Sequence, residues 1–421
     1  MPVSIKYFSV IILLLIVPAG AVSQELGISG NYRGEFEILR QDSSYRHQHW
    51  LNLIFEKSLG QDAGMHLNVE FNNYGTDAVS TLIQEAYVDY YTDRIDWRFG
   101  KQVISWGSAY QLNPTGYFNP YDLTLITPGE KRLGVLAAAG RYYGPARIEV
   151  SGVIAPFFSA HQWPPGLTDQ LIGEAVARTH ARLNQQVPQV PILLDRNTPY
   201  VPPAVPSKVE NTTAGLLVTK RGLGKFDVSV SAYHGWDKSF AVDEEATGNS
   251  IYINPDDLQN LDRFATVYFF YPEVNRVGVN VIGSLGKAGV WLEGTRSQYY
   301  MDQFRSPLNI AGGMDYRFSN DLYIVGQGIY IQKRTQDEEG ITAVMAYASK
   351  PVFGFHEIEI VGLYDFESDS YFLEPQFNYS LGNAIHLDIG GTLVEIKQSQ
   401  YAEMFSRIIG ERLYARLSID F

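Results

Sequence analysis

Cysteine is absent from the 421 residues of this chain. Its absence excludes a disulfide framework and a lipid-attached amino-terminal cysteine, so stability falls to packing and sheet hydrogen bonds. Basic residues are in deficit, with 33 Lys and Arg against 46 Asp and Glu and a formal charge of −13. A chain this acidic repels phosphate backbones, and no nucleic-acid partner is expected. Beyond the first residues no apolar run approaches the roughly 20 residues that a membrane-spanning helix needs, which excludes a helical membrane protein. G-x-S-x-G, H-E-x-x-H and P-loop patterns are also missing. The eight histidines are scattered, and His47 and His49 share a strand face without a third ligand. No enzymatic activity, metal or cofactor is expected.

What the chain does have begins with an export signal. Lys6 precedes an apolar stretch from Val10 to Val17, followed by Pro18, Ala19, Gly20 and the small residues Ala21 and Ser23 at the positions a signal peptidase reads. Cleavage is expected after Ser23, giving a signal peptide over 1–23 and one domain over 24–421. Loss of Lys6 takes the formal charge from −13 to −14.

The remainder alternates. Ile28, Tyr32, Phe36 and Ile38 fall on one face, with Ser29, Asn31, Arg33, Glu35 and Glu37 on the other. A period of two marks a strand. The pattern returns with Met65, Leu67, Val69 and Phe71 against His66, Asn68, Glu70 and Asn72, and with Ile148 and Val150 against Arg147, Glu149 and Ser151. Phe226, Val228 and Val230 alternate with Asp227, Ser229 and Ser231; at the end Leu413, Ala415, Leu417, Ile419 and Phe421 alternate with Arg412, Tyr414, Arg416, Ser418 and Asp420. Tyr outnumbers Phe, 28 to 22, as suits strands whose ends meet a membrane interface.

Short turns at 60–64, 92–94, 143–145, 222–224, 286–287, 319–321, 350–353 and 382–383 alternate with longer connections. Eight turns join sixteen strands, and an unpaired first strand (about 26–40) and last strand (about 408–421) raise the count to eighteen. Sixteen follows if weaker segments are loops, and 263–272 reads equally as strand or loop. The predicted fold is an all-β, transmembrane, antiparallel up-and-down barrel with both termini on the short-turn side. Inverting the first strand would put Arg33 into lipid at about 2–4 kcal/mol near the midplane. The polar face therefore points inward.

Two stretches resemble known families. Ile419-Asp420-Phe421 resembles the carboxy-terminal signature of bacterial outer-membrane barrels, in which the outer-membrane assembly machinery reads a final aromatic residue. Residues 97–122, WRFGKQVISWGSAYQLNPTGYFNPYD, resemble a segment of porin-like outer-membrane proteins in which Gly-Arg-Gln is followed by Trp-Gly and Asn-Pro-x-Asp. The matching positions are Gly100, Gln102, Trp106, Gly107, Asn119, Pro120 and Asp122, with Lys101 where Arg is expected. The resemblance implies the outer membrane of a Gram-negative bacterium and a porin-like channel for small solutes, and names no substrate.

On this reading Arg33, Glu35, Glu70, Arg98, Gln102, Arg147, Glu149, Arg412 and Arg416 are the candidate pore-lining residues, and Trp106, Gly107, Asn119, Pro120 and Asp122 the candidate loop motif. Turn formers in the 105–131 connection predict a folded loop, set either in the lumen or on the rim. The longest loop, 157–208, carries helical spacing over Thr168–Asn184 with Thr168 and Asp169 as caps. An acidic loop, 239–262, holds Asp243, Glu244, Glu245, Asp256, Asp257 and Asp262, without calcium-site spacing. Two functions fit: a channel, or a barrel plugged by the 157–208 loop that serves as receptor, adhesin or export and assembly component. Membrane lipids, the assembly machinery and a small solute are the expected partners, and an oligomer is compatible with the sequence.

Overall fold

The computed structural model describes residues 26–40, 43–73, 79–123, 131–163, 167–186, 191–195, 197–206, 208–253, 263–335, 340–397 and 410–421. The expected signal peptide over 1–23, and Asp256, Asp257 and Asp262, lie outside the described residues.

Eighteen strands make one sheet. In chain order they are β1 (Gly27–Leu39), β2 (Tyr45–Ser58), β3 (Ala63–Asn73), β4 (Ser80–Tyr91), β5 (Ile95–Gln102), β6 (Val135–Tyr143), β7 (Ile148–Ala155), β8 (Thr213–Leu223), β9 (Phe226–Trp236), β10 (Glu273–Leu285), β11 (Ala288–Tyr299), β12 (Leu308–Arg317), β13 (Tyr323–Ile331), β14 (Ile341–Val352), β15 (His356–Asp365), β16 (Ser370–Ser380), β17 (Ile385–Glu395) and β18 (Arg412–Asp420). Each pairs antiparallel with its chain neighbours, and β1 pairs with β18 from Asn31↔Asp420 to Leu39↔Arg412. The sheet closes on itself. Closure leaves no unpaired edge, the condition under which strands cross a membrane.

Alternation explains which face goes where. On β1, Glu37 is 0% exposed while its neighbour Ile38 is 48% exposed, and on β18 Arg412 and Tyr414 are buried beside an exposed Leu413. Polar side chains fill the interior and a band of Val, Ile, Leu and aromatic residues covers the outside, as hydrocarbon requires.

All eight predicted turns join strands at one end of the barrel. The opposite end carries the long connections 103–134, 156–212 and 237–272, but also the tight 40–44 and 366–369, so the two ends differ less uniformly than the sequence suggested. The ambiguous 263–272 stretch is not in the wall. Arg263–Ala265 and Val267–Phe270 pair in parallel with Ile192–Leu194 and Tyr200–Val201, segments of another long loop, and so form small sheets at the loop end.

The predicted helix, α1, runs Leu167–Gln186. It starts one residue earlier than Thr168, which puts Thr168 and Asp169 in the first turn rather than at the cap, where the Asp169 carboxylate suits the helix dipole. Ile172 and Val176 of α1 pack on Val267 and Phe269, with Leu194, Tyr200, Phe240 and Val242 around them. These partners are all loop residues, so α1 knits the long loops together. In the acidic loop Asp243 caps a short helix, α2 (Glu244–Asn249), through Ala246 N–H, and Glu244 pairs with Arg182 of α1 at 2.6 Å.

Candidate functional site

The connection between β5 and β6 turns into the barrel. Its entry is built by the residues of the loop motif. Asn119 accepts from Ile104 N–H at 2.7 Å and donates to the carbonyls of Gln102 and Leu133 at 3.2 and 2.7 Å, tying the start of the loop to its return. Trp106 packs edge-on against Phe118, with ring centroids 5.1 Å apart, and both bury with Tyr117 against Tyr233, Val153 and Val274 of the wall. Gly107 has φ +87°, and a Cβ there would meet the Asn113 Oδ1 at 2.2 Å and Thr115 Oγ1 at 2.3 Å, so only glycine fits. Pro120 and Asp122 lie on the returning limb, where Leu133 N–H donates to Pro120 O and Asp122 N–H to Lys131 O.

The loop reaches across to β10, β11 and β13, where Asn280 accepts from the Ser108 hydroxyl at 2.6 Å and Thr295 donates to Pro114 O at 3.0 Å, and where two further side chains hold its tip. Glu293 of β11, fully buried, accepts from the backbone amides of Ser108 and Ala109 and from the Thr115 hydroxyl at 2.9 Å. Gln327 of β13 accepts from Tyr110 N–H at 2.8 Å and donates to Tyr110 O at 2.9 Å. Thr295 and Ser231 meet the Tyr117 hydroxyl at 3.2 and 3.0 Å. Burial pushes the Tyr117 hydroxyl up, outweighing its hydroxyl partners. Leu112 packs beside Ile329, Ala343 and Met345.

Between the loop tip and the opposite wall a cavity of about 340 Å³ remains. Tyr110 and Gln111 form one side; β14 to β18, β1 and β2 form the other. The basic part of this arc is Arg33, Arg412 and Arg416, and the acidic part Glu359, Glu374 and Asp388, with Glu35 between them. Arg412 reaches Glu35 at 3.0 Å and Glu37 at 2.7 Å, and Arg416 reaches Glu35 at 2.7 Å and Asp388 at 3.7 Å. Glu359 and Glu374 accept from the hydroxyls of Tyr347 and Tyr414 at 3.1 and 2.9 Å, and among the described residues neither has an ion-pair partner.

The nine candidate wall residues thus part company. Arg33, Glu35, Arg412 and Arg416 line the cavity. Glu70 is buried against Asn72 and Lys131 at the base of the loop. Gln102 is sealed beneath the loop, 1% exposed, donating to Ala137 O at 3.0 Å. Arg98 makes a bidentate pair with Asp89 at 2.6 and 2.9 Å and stacks 3.8 Å over Tyr87, nearer the short-turn end. Glu149 pairs with Arg221. Arg147 stands in a turn rather than on β7, because Ala146 and Arg147 both take positive φ there. The sequence reading missed Tyr110, Gln111, Glu293, Gln327, Glu359, Glu374 and Asp388. Glu359 was within reach, since His356 to Val361 alternates as cleanly as β1; Glu293 was not, because its partner is a loop almost two hundred residues away.

A second polar cluster anchors the outer loops. Asp237 accepts from the Tyr299 hydroxyl at 2.6 Å and lies 3.0 and 3.5 Å from Arg334 and Arg276. Burial alone would push its carboxyl up, but the two guanidinium groups outweigh it and hold Asp237 well below the usual carboxylate range. Beside it Lys238 is buried, 4.8 Å over the Phe158 ring, and burial together with Arg276 brings its ammonium down to about 7. Burial likewise lowers His161 to about 4.

No family model and no curated protein sequence matches the chain. Among solved structures it is similar to OccK11 (OpdR) of Pseudomonas aeruginosa, with a TM-score of 0.52 and 8% identity over 94% of each chain. It also aligns with a mutant Rh. blastica porin (TM-score 0.43, 10% identity, 94% of this chain and 100% of that one). For OmpT of Vibrio cholerae the values are 0.40, 9%, 94% and 99%. Identity this low speaks to the fold alone. The chain has a porin-like fold, a β-barrel closed by eighteen antiparallel strands.

Proposed function

We propose that the protein is a channel through which small polar solutes cross the outer membrane by passing between the tip of the inward loop and the arc of wall from β14 to β2. The observation that carries this reading is the cavity itself: it is bounded by Tyr110 and Gln111 on one side and by charged wall residues of both signs on the other. A barrel of eighteen strands is wide enough for a water-filled lumen, and a loop fastened across it narrows the passage without filling it.

Charge gives the passage a direction of preference. Four carboxylates and three guanidinium groups line the cavity. Glu35 is neutralised by its two arginines, whereas Glu359 and Glu374 meet hydroxyls, so the β15–β16 side offers net negative potential to a solute. The proposal is a mild preference for cations and for small solutes that carry a positive group. Reversal potentials across a planar bilayer in a potassium chloride gradient test it. A cation-selective potential that shrinks in a Glu359→Gln, Glu374→Gln variant is expected; an anion-selective wild type would overturn the charge assignment.

One observation favours the second reading, a barrel that acts through its outer face. The long loops are packed into a common apolar cluster around Ile172, Val176, Val267 and Phe269 rather than splayed apart. A chain that folds into membranes but passes no current, before and after deletion of Thr168–Asn184, would support that role.

A further inference from the structure

The tip of the β14–β15 turn is Phe353-Gly354-Phe355, and its two phenylalanines are 88% and 86% exposed. Among the described residues they are the most exposed large hydrophobic side chains of the chain. Phe353 has φ +50° and Gly354 φ +90°. Two successive left-handed residues close a tight hairpin, a position that Asn, Asp or Gly fills without strain. At the other turns of this end the left-handed positions are held by Gly60, Gly222, Gly224, Gly286 and Asp321, and in the β6–β7 turn by Ala146 and Arg147, none of them a large apolar side chain. Closing the hairpin therefore does not account for an aromatic residue at 353, nor for a second one two residues on.

The surroundings say what covers them. On the outer face next to this turn, His356 stacks on Tyr379 with ring centroids 4.2 Å apart and an interplanar angle of 18°, and Phe377 lies 6.0 Å from His356. Below them on β15, Ile358 and Ile360 are exposed on the lipid-facing side. The aromatic tip thus continues a lipid-facing surface rather than standing apart from it. Lys350, exposed and paired in register with Ile358, adds a cation on the same outer face where anionic headgroups lie.

We infer that the Phe353-Gly354-Phe355 turn is a membrane anchor, seated in the headgroup and acyl boundary of the phospholipid leaflet on the short-turn side. The anchor fixes the depth and tilt of the β14–β15 hairpin, two strands that border the cavity. It is independent of whether the barrel conducts.

The absence of native cysteine makes the test direct. Phe353→Cys and Phe355→Cys are spin-labelled singly in the full-length barrel, reconstituted in vesicles of phosphatidylethanolamine and phosphatidylglycerol, with Lys287→Cys in a polar turn as reference. Accessibility to oxygen, which partitions into lipid, is compared with accessibility to a water-soluble nickel chelate. The anchor predicts an oxygen-to-nickel ratio severalfold higher at 353 and 355 than at 287. Equal ratios at all three positions would overturn it and transfer the exposed pair to a periplasmic protein partner. Either cysteine variant suffices if the other fails to fold.

Discussion

The hydroxyl of Thr115, in the inward loop, donates to the carboxylate of Glu293 on β11 at 2.9 Å. The same carboxylate takes the amides of Ser108, Ala109 and, at 3.4 Å, Thr115 itself, so one wall residue gathers four donors of a loop that leaves the wall six strands away. A buried donor left without an acceptor costs about 1–3 kcal/mol. Glu293→Ala should therefore release the loop tip rather than unfold the barrel, whose ladder is untouched. Single-channel conductance is expected to rise and become noisier, and limited proteolysis to cut within 103–123. Glu293→Gln, which keeps one acceptor oxygen, should fall between the two. Unchanged conductance and protease resistance in Glu293→Ala would remove Glu293 as the loop's latch.

Gly107 gives a second handle on the same loop. A Cβ at φ +87° would lie 2.2 Å from the Asn113 Oδ1. Gly107→Ala should displace the loop at a cost of more than about 1 kcal/mol, reproducing the conductance gain of Glu293→Ala with an intact Glu293. A variant with wild-type conductance would contradict the steric account.

The seam of the barrel holds buried charge. Arg412 is paired with Glu35 and Glu37, and all three side chains are almost completely enclosed. Stranding a buried charge costs about 3–5 kcal/mol, an upper bound for Arg412 because Glu35 keeps Arg416 at 2.7 Å and Glu37 keeps Arg46 at 2.9 Å. Arg412→Met should lower the temperature at which the folded form is lost on an unheated denaturing gel, more than Arg221→Met, whose pair with Glu149 is half exposed. Equal shifts would show the seam network to be no more than a surface pair.

The loop anchor carries a pH signature. Lys238 titrates near 7 in the folded protein against an ordinary lysine value of 10.5. Between these values the unfolded loop binds more protons than the folded one, so the loop end gains stability as pH rises from about 7 to 10.5. Asp237 acts in the opposite range: its contribution is present above an ordinary carboxyl value of 3.8 and is lost as pH falls below it. Hydrogen exchange over 237–253 should slow as pH is raised through that upper window, after correction for intrinsic rates, and Lys238→Met should abolish the dependence. A flat profile in the wild type would contradict the buried-ammonium reading.

Much of the wall was legible because a strand's period of two has a single physical outcome in lipid. Arg33, Glu35 and Arg412 could go nowhere but inward, and the eight turn signals put the strand ends within a few residues. The loop was legible in part: the turn formers Gly107, Asn113-Pro114, Gly116 and Asn119-Pro120 announced a folded structure, and Asn119 does build its entry. Its destination was not, because Glu293 and Gln327 are joined to it only through the closed barrel, a contact with no local signature. Arg147 misled for a different reason. It fits the alternation of β7, but Ala146 and Arg147 take positive φ, so the strand starts one residue later, at Ile148.

If solute passes beside the loop tip, a thiol placed at that tip reports the passage most directly. Gln111→Cys, in a chain with no other cysteine, is placed in a planar bilayer and treated with a bulky, water-soluble thiol reagent while current is recorded. Discrete steps that drop severalfold on modification are predicted, with the unmodified wild type insensitive to the reagent. Full conductance after complete modification, or silence from a folded barrel, would contradict the account.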